Sequence, residues 1–357
     1  MKRKVLVVDT AAAHSGALVV LRQFHEYAKT RKDIDWVFVL GTASLPACDN
    51  VEIINVGWTK KTWFFRLFFD LFMVGIIARR AGVSRIISLE NNAFPFAREG
   101  QSVFLHQPLF FTSIKFGLRH TPKLWIYQNI IARFCCATLR FADRIVVQTQ
   151  WLKDAAIKKL GFDDGKITIV KPEVDSAGYA FVPSAENFAN FFFPASAVFY
   201  KNHGVLLEAC RILKDRGQPH FKVFLTLDGK SALAARFKAA GIDNAVFLGH
   251  ISHEEVFELY AKSVLVFPSY LESFGYPLAE ARAVGAPVVA ADTSFAREIL
   301  EGYANARFFA YDDAQTLADL MREFIEARAA YVPAQAGRGG NASEHAYWAK
   351  VVGAMLE

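Results

Sequence analysis

The segment from Glu272 to Glu280, ESFGYPLAE, combines residue types that could act on a charged ligand. The apolar run Val264–Pro268 precedes it and a helical pattern follows, so a glycine loop leads from a strand into a helix. Gly275 permits a close backbone approach, and Pro277 suits the first turn of a helix. Free N–H groups at a helix start favour an anion such as a diphosphate. The segment therefore predicts an anion site at the carboxyl end of a strand.

The two carboxylates of this segment need a chemical reason to stand beside a phosphate. Glu272 or Glu280 could accept hydrogen bonds from sugar hydroxyls, or support the positive charge that develops on an anomeric carbon. The same spacing also occurs among ordinary surface carboxylates, so the two residues alone do not decide. Because one helical stretch separates them, we do not expect the carboxylate pair that glycosidases place across a scissile bond.

The elements that must position this segment alternate between short apolar runs and helical patterns. In the first half, strands are predicted at Val5–Asp9, Trp36–Leu40, Val51–Val56, Arg85–Leu89, Ser102–His106, Arg144–Gln148 and Lys166–Val170, and helices at Gly16–Thr30, Trp63–Arg80, Pro122–Ala142 and Gln150–Leu160. In the second half, strands are predicted at Asn190–Pro194, Lys222–Leu227, Ala245–Gly249, Val264–Pro268, Pro287–Ala291 and Arg307–Ala310. This alternation predicts an α/β protein with doubly wound parallel sheets.

The length of 357 residues accommodates two domains of ordinary size. Prolines and a glycine interrupt the alternation at Lys171–Ala189, where we place a linker. We expect one Rossmann-like domain over 1–175 and a second over 176–336. The pattern breaks again at Gly337–Asn341, and 337–357 is expected to form a C-terminal helix that returns to the first domain. One large sheet is the alternative.

Composition narrows the classes of protein. The four cysteines form no C-x-x-C pair and no histidine cluster accompanies them, so neither a zinc site nor a disulfide framework is predicted. No window reaches the ~18 uncharged apolar residues of a spanning helix, and the N-terminus leads directly into a strand rather than a signal peptide. The net charge of +6 suits an anionic nucleotide or an anionic membrane surface. We expect no metal, no cofactor and no nucleic-acid partner, in a cytoplasmic setting.

The stretch 246–300 closely resembles the C-terminal domain of the retaining GT-B enzymes of glycosyltransferase family 4. It keeps the order and spacing of Gly249, Pro268-Ser269, Glu272, Glu280, Ala281, the run Gly285–Val289 and Glu298. A weaker resemblance extends over the whole chain. The resemblance implies two Rossmann-like domains that face each other across a cleft and transfer a sugar with retention of configuration.

The resemblance also implies a donor site. Its positions correspond here to Gly16, Ser196, Lys201, His250, Ile251, Glu272, Phe274, Gly275, Tyr276 and Glu280. Glu272 would lie by the donor sugar, Glu280 would bind the ribose hydroxyls, and Lys201 matches the family's diphosphate-binding lysine. The amides of Phe274–Tyr276 would approach the sugar and diphosphate, and the backbone at His250 and Ile251 would face the nucleobase.

One departure from the family pattern lies shortly before that lysine. The family usually has a Gly-Arg pair there, whereas this chain has Ala195-Ser196. Lys201 is left as the clear cation for a leaving diphosphate, with the helix dipole assisting. Weaker catalysis is one consequence, and a compensating cation elsewhere is the other.

The resemblance also implies that the domain over 1–175 lies on the acceptor side and that the domain over 176–336 binds the donor. Polar residues follow several strands of the first domain. Asn91 and Asn92 follow one strand, and the sequence His106-Gln-Pro resembles a motif near the reacting centre of some family members. On the basis of the resemblance, we assign catalytic roles to His106 here and to Glu272 and Lys201 on the donor side. A simple turn at the asparagines and a structural strand-end histidine are the alternatives. The loop around Gly16 resembles the family's glycine-rich loop, with its usual Gly-Gly pair reduced to Ser-Gly.

Two aromatic, basic stretches raise the possibility of membrane contact. Trp63–Met73 is apolar except for Arg66 and Asp70, which are four apart and could pair on one helix face. Basic ends with Trp and Phe predict a helix that lies in a membrane interface. Leu109–Lys123 is the second such stretch, and the alternative for the first is a buried domain helix.

The function that follows is transfer of a sugar from a nucleotide diphosphate-sugar to a polyprenyl-diphosphate-linked or oligosaccharide glycan acceptor. The expected setting is bacterial surface polysaccharide assembly, such as O-antigen or capsule, at the inner face of the cytoplasmic membrane. The alternatives are a catalytically silent nucleotide- or glycan-binding subunit, a nucleotide-sugar epimerase and a phosphorylase. An NAD oxidoreductase is disfavoured because no G-x-G-x-x-G opens either domain.

Overall fold

A computed structural model describes residues 2–13, 15–119, 121–176, 178–218, 220–326, 329–333 and 344–357. The predicted break at Gly337–Asn341 lies outside these residues. The chain forms two compact units, Met1–Glu173 with Ser343–Glu357 and Val174–Ala342. Each unit is a parallel sheet packed against helices, so the predicted α/β class with doubly wound sheets is confirmed.

The first unit is built on a sheet of seven described strands. These are β1 Arg3–Asp9, β2 Ile34–Leu40, β3 Val51–Asn55, β4 Arg85–Ser88, β5 Gly100–Phe104, β6 Arg144–Val147 and β7 Ile167–Ile169. The apolar side chains of β1 are fully buried because helices cover both faces of the sheet. The strand order is β3-β2-β1-β4-β5-β6-β7, so the direction of winding reverses between β1 and β4.

The helices of this sheet differ from the prediction in one respect. They are α1 Ser15–Thr30, α2 Trp63–Phe68, α3 Val74–Ala81, α4 Pro122–Ile126, α5 Ala132–Thr138 and α6 Gln150–Leu160. The expected continuous helix Trp63–Arg80 is divided by a π turn at Phe69–Met73, and a second π turn at Tyr127–Ile131 divides α4 from α5. A π turn inserts an extra residue into one helical turn, which changes the direction in which the following side chains point.

The second unit is built on six described strands. These are β8 Asn190–Phe193, β9 Lys222–Leu225, β10 Ala245–Phe247, β11 Val264–Phe267, β12 Val288–Ala291 and β13 Ala306–Phe309. Its helices are α7 Ala185–Phe188, α8 His203–Asp215, α9 Ala232–Ala239, α10 His253–Tyr260, α11 Tyr276–Val284, α12 Ser294–Ile299 and α13 Ala314–Ile325. The order β10-β9-β8-β11-β12-β13 places the reversal of winding between β8 and β11.

The last helix, α14 Glu344–Leu356, packs into the core of the first unit. Trp348 and Met355 are buried, as the tail pattern predicts. The Arg3 guanidinium donates a hydrogen bond to the Leu356 carbonyl at 2.8 Å, and the Ser102 hydroxyl donates to the Met355 carbonyl at 2.6 Å. Among the helices in the described ranges, none combines the length and hydropathy that crossing a bilayer requires.

Candidate functional site

The predicted strand, glycine loop and helix start are present in the second unit. β11 ends at Phe267 and α11 begins at Tyr276, with Pro277 in its first turn. Gly275 has a φ of 95°, a left-handed conformation that other L residues rarely adopt. A Cβ at this position would also lie 3.3 Å from Leu278 Cδ1. The backbone at the helix start therefore depends on glycine, and a helix start of this kind favours an anion.

Lys201 and Glu272 form an ion pair at the reversal of strand order. Lys201 Nζ lies 2.5 Å from Glu272 Oε1, and the two side chains are 18% and 15% exposed. Lys201 follows β8 and Glu272 follows β11, which are neighbouring parallel strands. The topology thus brings together two residues that are 71 positions apart. In open α/β sheets this crevice is where ligands bind.

The start of α8 adds a second set of backbone donors beside Lys201. Asn202 adopts a left-handed φ of 61°, and its amide donates to the Tyr311 carbonyl at 2.6 Å. His203 is buried, and this burial lowers its pKa to about 4, so its ring is neutral near pH 7. Ser196, at the position of the family's usual arginine, is exposed. Positive charge at this helix start therefore comes from Lys201 and the helix dipole.

Glu280 on α11 is held by partners on α10. The Tyr260 hydroxyl donates a hydrogen bond to Glu280 Oε2 at 2.9 Å, and His253 Nε2 lies 3.8 Å from Oε1. Burial, and then Glu280, raise the pKa of Tyr260 well above its usual value. The spacing of the histidines in the sequence shows no ligand pattern and therefore gives no signal for His253. The packing of α10 against α11 is what places it beside Glu280.

The remaining predicted donor residues are less tightly defined. Phe274 is buried and its ring lies 5.0 Å from that of Tyr276, whereas His250 is exposed just before the Ser252 cap of α10. Ile251 beside it is half-buried. No described atom lies within 4 Å of a Cβ placed at Gly16, so the first unit does not itself require glycine there.

A cavity of about 560 Å³ opens at the corresponding reversal of the first unit. Asp9 ends β1, Glu90 follows β4 and His106 follows β5, and all three line the cavity. The predicted acceptor-side residues Asn91 and Asn92 line it as well. The fold therefore brings the predicted acceptor-side residues together around one cavity, although up to 15 sequence positions separate them.

Asn91 connects the ends of two strands within this cavity. Its φ of 66° is left-handed, and its side-chain oxygen accepts a hydrogen bond from the His106 amide at 2.7 Å. Asn91 therefore lies in a left-handed bend after β4, and this bend lines the cavity. Burial lowers the pKa of His106 to about 4, so the imidazole is neutral near pH 7.

Three buried carboxyl groups, Asp9, Asp70 and Glu90, form a carboxylate cluster that sequence reasoning missed. Arg66 Nε donates to Asp70 Oδ2 at 2.8 Å, which confirms that predicted pair, and Arg66 Nη2 donates to Glu90 Oε2 at 2.6 Å. Burial and then Glu90 raise the pKa of Asp9 to about 8. Burial raises the pKa of Asp70 to about 7 against the opposing effect of Arg66. The available signal was that Asp9 ends one predicted strand and Glu90 directly follows another.

Glu90 is the member of the cluster with the most hydrogen bonds. It accepts from the Thr10 hydroxyl and from the Ala11 amide, both at 2.8 Å, and also from the Thr10 amide. Together with the bond from Arg66, these contacts tie the end of β4 to the end of β1. Both carboxylate oxygens of Glu90 therefore accept hydrogen bonds from the protein itself.

Exposed apolar side chains, all aromatic except one leucine, lie on and beside α2, and three of them, Trp63, Phe64 and Leu67, line the cavity. We define the aromatic patch as Trp63, Phe64, Phe65, Leu67, Phe68, Phe72 and Phe96, all of which are exposed. Within α2 and its π turn only Phe69 and Asp70 are buried, so the alternative of a buried domain helix is wrong. The second aromatic stretch differs, because Phe110 and Phe116 fill the core. Among the described residues, no group of three or more His, Cys, Asp or Glu could hold a metal ion.

Solved structures share this architecture over almost the whole chain. Sucrose-phosphate synthase from Thermosynechococcus elongatus matches with a TM-score of 0.71 and 15% identity over 99% of this chain and 98% of that one. HepE of Anabaena, in complex with UDP-glucose, matches with a TM-score of 0.65 and 18% identity over 98% and 96%. The fold is that of the GT-B glycosyltransferases, with one parallel-sheet α/β domain in each unit.

Residues 180–339, which lie in the second unit, match the model of the family described as "Glycosyl transferases group 1". A D-inositol 3-phosphate glycosyltransferase of Mycolicibacterium gilvum is 32% identical over 42% of this chain and 37% of its own length. The O-antigen chain mannosyltransferase of Salmonella typhimurium is 23% identical over 61% of this chain and 59% of its own length. The chain thus spans only about half the length of the curated relatives it matches.

Proposed function

We propose that this protein is a retaining glycosyltransferase of family 4 that transfers a sugar from a nucleotide diphosphate-sugar to a glycan acceptor. The acceptor is a polyprenyl-diphosphate-linked glycan of bacterial surface polysaccharide assembly, such as O-antigen or capsule. Among the relatives, one is named for O-antigen synthesis. A structural neighbour is in complex with UDP-glucose, which supports a nucleoside diphosphate-sugar as the donor class.

The Lys201–Glu272 pair is the observation that carries the proposal. A cation and a carboxylate 2.5 Å apart lie between the starts of α8 and α11. The donor diphosphate binds Lys201 and the backbone N–H groups of these helix starts. Glu272 is then released to accept hydrogen bonds from the donor sugar and to stabilise positive charge at its anomeric carbon. Stabilisation of the leaving diphosphate by such fixed donors is a large catalytic effect.

Retention follows from the face on which the acceptor arrives. The bond between the anomeric carbon and the β-phosphate oxygen breaks, and the acceptor oxygen bonds to the same face of that carbon. The acceptor's proton passes to the leaving phosphate, so no residue must change its charge. His106 and the amides of Asn91 and Asn92 hydrogen-bond the acceptor hydroxyl in this scheme.

The aromatic patch supports a membrane-bound acceptor. Trp63 and Phe64 are 66% and 72% exposed, and the exposed cations Lys60, Lys61 and Arg80 flank the helices that carry the patch. Exposed Trp and Phe beside basic residues are typical of helices that lie in an anionic membrane interface. We therefore infer peripheral binding at the inner face of the cytoplasmic membrane.

The Ala195-Ser196 departure favours a second candidate function, a silent nucleotide- or glycan-binding subunit. Ser196 is exposed and can donate a hydrogen bond, but it has no charge to place on a leaving diphosphate. A silent subunit would bind a nucleotide without turnover, so donor binding and donor turnover must be measured separately.

The Glu272→Gln variant tests the assignment. Thermal-shift measurements with UDP, GDP, dTDP, ADP and CMP identify the nucleotide, and a sugar panel on that nucleotide identifies the donor. We expect Glu272→Gln to keep its melting temperature and nucleotide shift but to lose at least about 100-fold in donor turnover, because charge stabilisation at the anomeric carbon is lost. Glu301→Gln, which changes an exposed carboxylate of the same unit, is the matched control.

Two outcomes would contradict the assignment. Full turnover by Glu272→Gln with the true donor would show that this carboxylate is not catalytic. Nucleotide binding without turnover by the unaltered protein would favour the silent subunit.

A further inference from the structure

Asp9 and Asp70 line the first-unit cavity, and each has one carboxyl oxygen that no described residue bonds. Asp9 is 2% exposed, and its Oδ1 accepts a hydrogen bond from the Ala12 amide at 3.0 Å. No bond from a described residue reaches its second oxygen. Asp70 Oδ1 is also buried without a hydrogen-bond partner among the described residues. Buried polar atoms are usually hydrogen-bonded, so Asp70 Oδ1 indicates a missing hydrogen-bond donor. The second oxygen of Asp9 is an additional acceptor in the residues that line the same cavity.

The charges that face the cavity do not suit an anionic ligand. Its described lining holds three carboxyl groups and one guanidinium, that of Arg66. Arg66 already bonds Asp70 and Glu90, and His106 in the wall is neutral near pH 7. The nearby Lys60 ammonium donates to the Ala11 carbonyl at 2.9 Å. A phosphate in the cavity would therefore meet carboxyl groups without a free counter-charge in the described wall.

The outer part of the cavity is apolar and aromatic. Trp63, Leu67, Tyr127 and Ile130 line it, from α2 on one side and from the π turn before α5 on the other. A sugar ring offers an apolar face to such side chains and hydroxyl donors at its rim. The volume of about 560 Å³ is within the range of small-molecule sites.

We propose that this cavity binds an uncharged, hydroxyl-bearing sugar unit of the acceptor, that Asp9 and Asp70 receive its hydroxyl groups, and that the cavity rejects phosphorylated rings. The proposal rests on the function above and narrows the chemical class of the acceptor unit to uncharged sugars. The diphosphate of a lipid-linked acceptor then lies outside the cavity, with the terminal sugar inside. A relative is named for D-inositol 3-phosphate, so this chain would differ from it in the charge of its acceptor.

The test compares uncharged and phosphorylated probes on the full chain. The probes are octyl glycosides of glucose, galactose, mannose and N-acetylglucosamine below their micelle concentrations, against octyl phosphate and D-inositol 3-phosphate. Trp63 at the cavity mouth reports binding by its fluorescence, and Trp63→Phe identifies its signal. We expect at least one glycoside to bind about tenfold more tightly than octyl phosphate at pH 8, because like charges repel in a desolvated site.

Two variants assign the selectivity to the carboxyl groups. Asp9→Asn keeps an oxygen for the Ala12 amide, and Asp70→Asn keeps one for Arg66. Each is expected to weaken glycoside binding severalfold and to reduce the preference over octyl phosphate. Glu52→Gln makes the same charge change on the exposed side of β3 and should change neither.

The melting temperature distinguishes a ligand-binding role of Asp9 from a structural one. Asp9 has a raised pKa in the folded state, so its ionisation destabilises the fold as pH rises towards 8. The groups around it are Glu90, Arg66, Lys60 and the Ala12 amide. Asp9→Asn should therefore melt at pH 8 no lower than the unaltered chain while losing glycoside affinity. If Asp9→Asn does not fold, the melting temperature and the glycoside affinity of Asp70→Asn distinguish the two roles.

Three results would overturn the proposal: binding of no glycoside, octyl phosphate or inositol phosphate binding as tightly as the best glycoside, or unchanged selectivity in the variants. The nucleotide thermal shift is recorded on the same samples. If it persists, the donor assignment stands while the acceptor inference fails, and if the unaltered protein lacks it, the donor assignment fails independently.

Discussion

Burial determines the charge of His203 at the start of α8. Its side chain is 3% exposed and its ring lies 4.8 Å from that of Phe193. Removal from water disfavours the charged form, and this outweighs a bond to the Ala195 carbonyl that favours it, so the pKa falls to about 4. A neutral ring beside Lys201 adds no charge to the candidate donor site.

We predict a loss of stability as the pH falls from 6.5 to 4. The unfolded chain protonates His203 near pH 6.5 whereas the folded state resists until about 4, so the free energy of unfolding falls by up to about 1.4 kcal/mol per pH unit in that window. Urea unfolding of His203→Gln should show a shallower dependence on pH over this range. His250→Gln, at an exposed position, should retain the original slope, and equal slopes for both variants would contradict the assignment.

At the scale of elements, α2 and its π turn form one exposed aromatic surface together with Phe96. Phe68 and Phe72 lie 5.7 Å apart, and Phe72 stacks on Phe96 at 5.3 Å. None of these three lines the cavity. The helices remain attached to the sheet through buried Phe69 and through Arg66, which bonds Glu90 after β4. The surface can thus be altered without touching the cavity wall.

The double variant Phe68→Ser with Phe72→Ser tests membrane binding by this surface. The unaltered protein should sediment with vesicles that contain phosphatidylglycerol, and less so at high salt, because basic residues flank the aromatic patch. We expect the double variant to lose about tenfold or more in binding, since the apolar side chains no longer enter the interface.

Phe141→Ser is the control, because Phe141 is an exposed aromatic of the same unit outside the patch. Equal sedimentation of the control and the double variant would exclude the aromatic patch as the membrane surface.

At the scale of the molecule, the chain leaves the first unit, forms the second, and completes the first with α14. Trp348 is 1% exposed and its ring lies 5.3 Å from that of Phe24 and 5.7 Å from that of Phe104. The Tyr347 hydroxyl accepts a hydrogen bond from Gln148 at 3.1 Å. The core of the first unit therefore includes both ends of the sequence.

We predict that Trp348→Ala destabilises the first unit by about 3–5 kcal/mol, because a large buried ring is removed from a packed core. Lys350→Ala on the same helix removes an exposed ion pair with Glu173 and should have little effect. Urea unfolding followed by circular dichroism measures both. A small effect of Trp348→Ala would mean that α14 is dispensable to the first unit.

The segment 272–280 illustrates what local sequence is able to specify. A buried strand needs a short apolar run, a helix start tolerates Pro277, and a φ of 95° requires Gly275. These constraints act over a few residues, so the strands and the glycine loop were predicted correctly. The π turns were not, because a helical pattern of apolar residues does not reveal where an extra residue enters a turn.

The order of strands was decided only by tertiary structure. Apolar runs look alike whichever strands they adjoin, so the sequence does not indicate that β8 lies beside β11 or β1 beside β4. Those neighbours create the Lys201–Glu272 pair and place Asp9 beside Glu90, together with the burial that raises the pKa of Asp9. The sequence alone thus determined the elements and the chemical types at their ends. The fold decided which of those ends meet, because parallel strands pair across long separations in the chain.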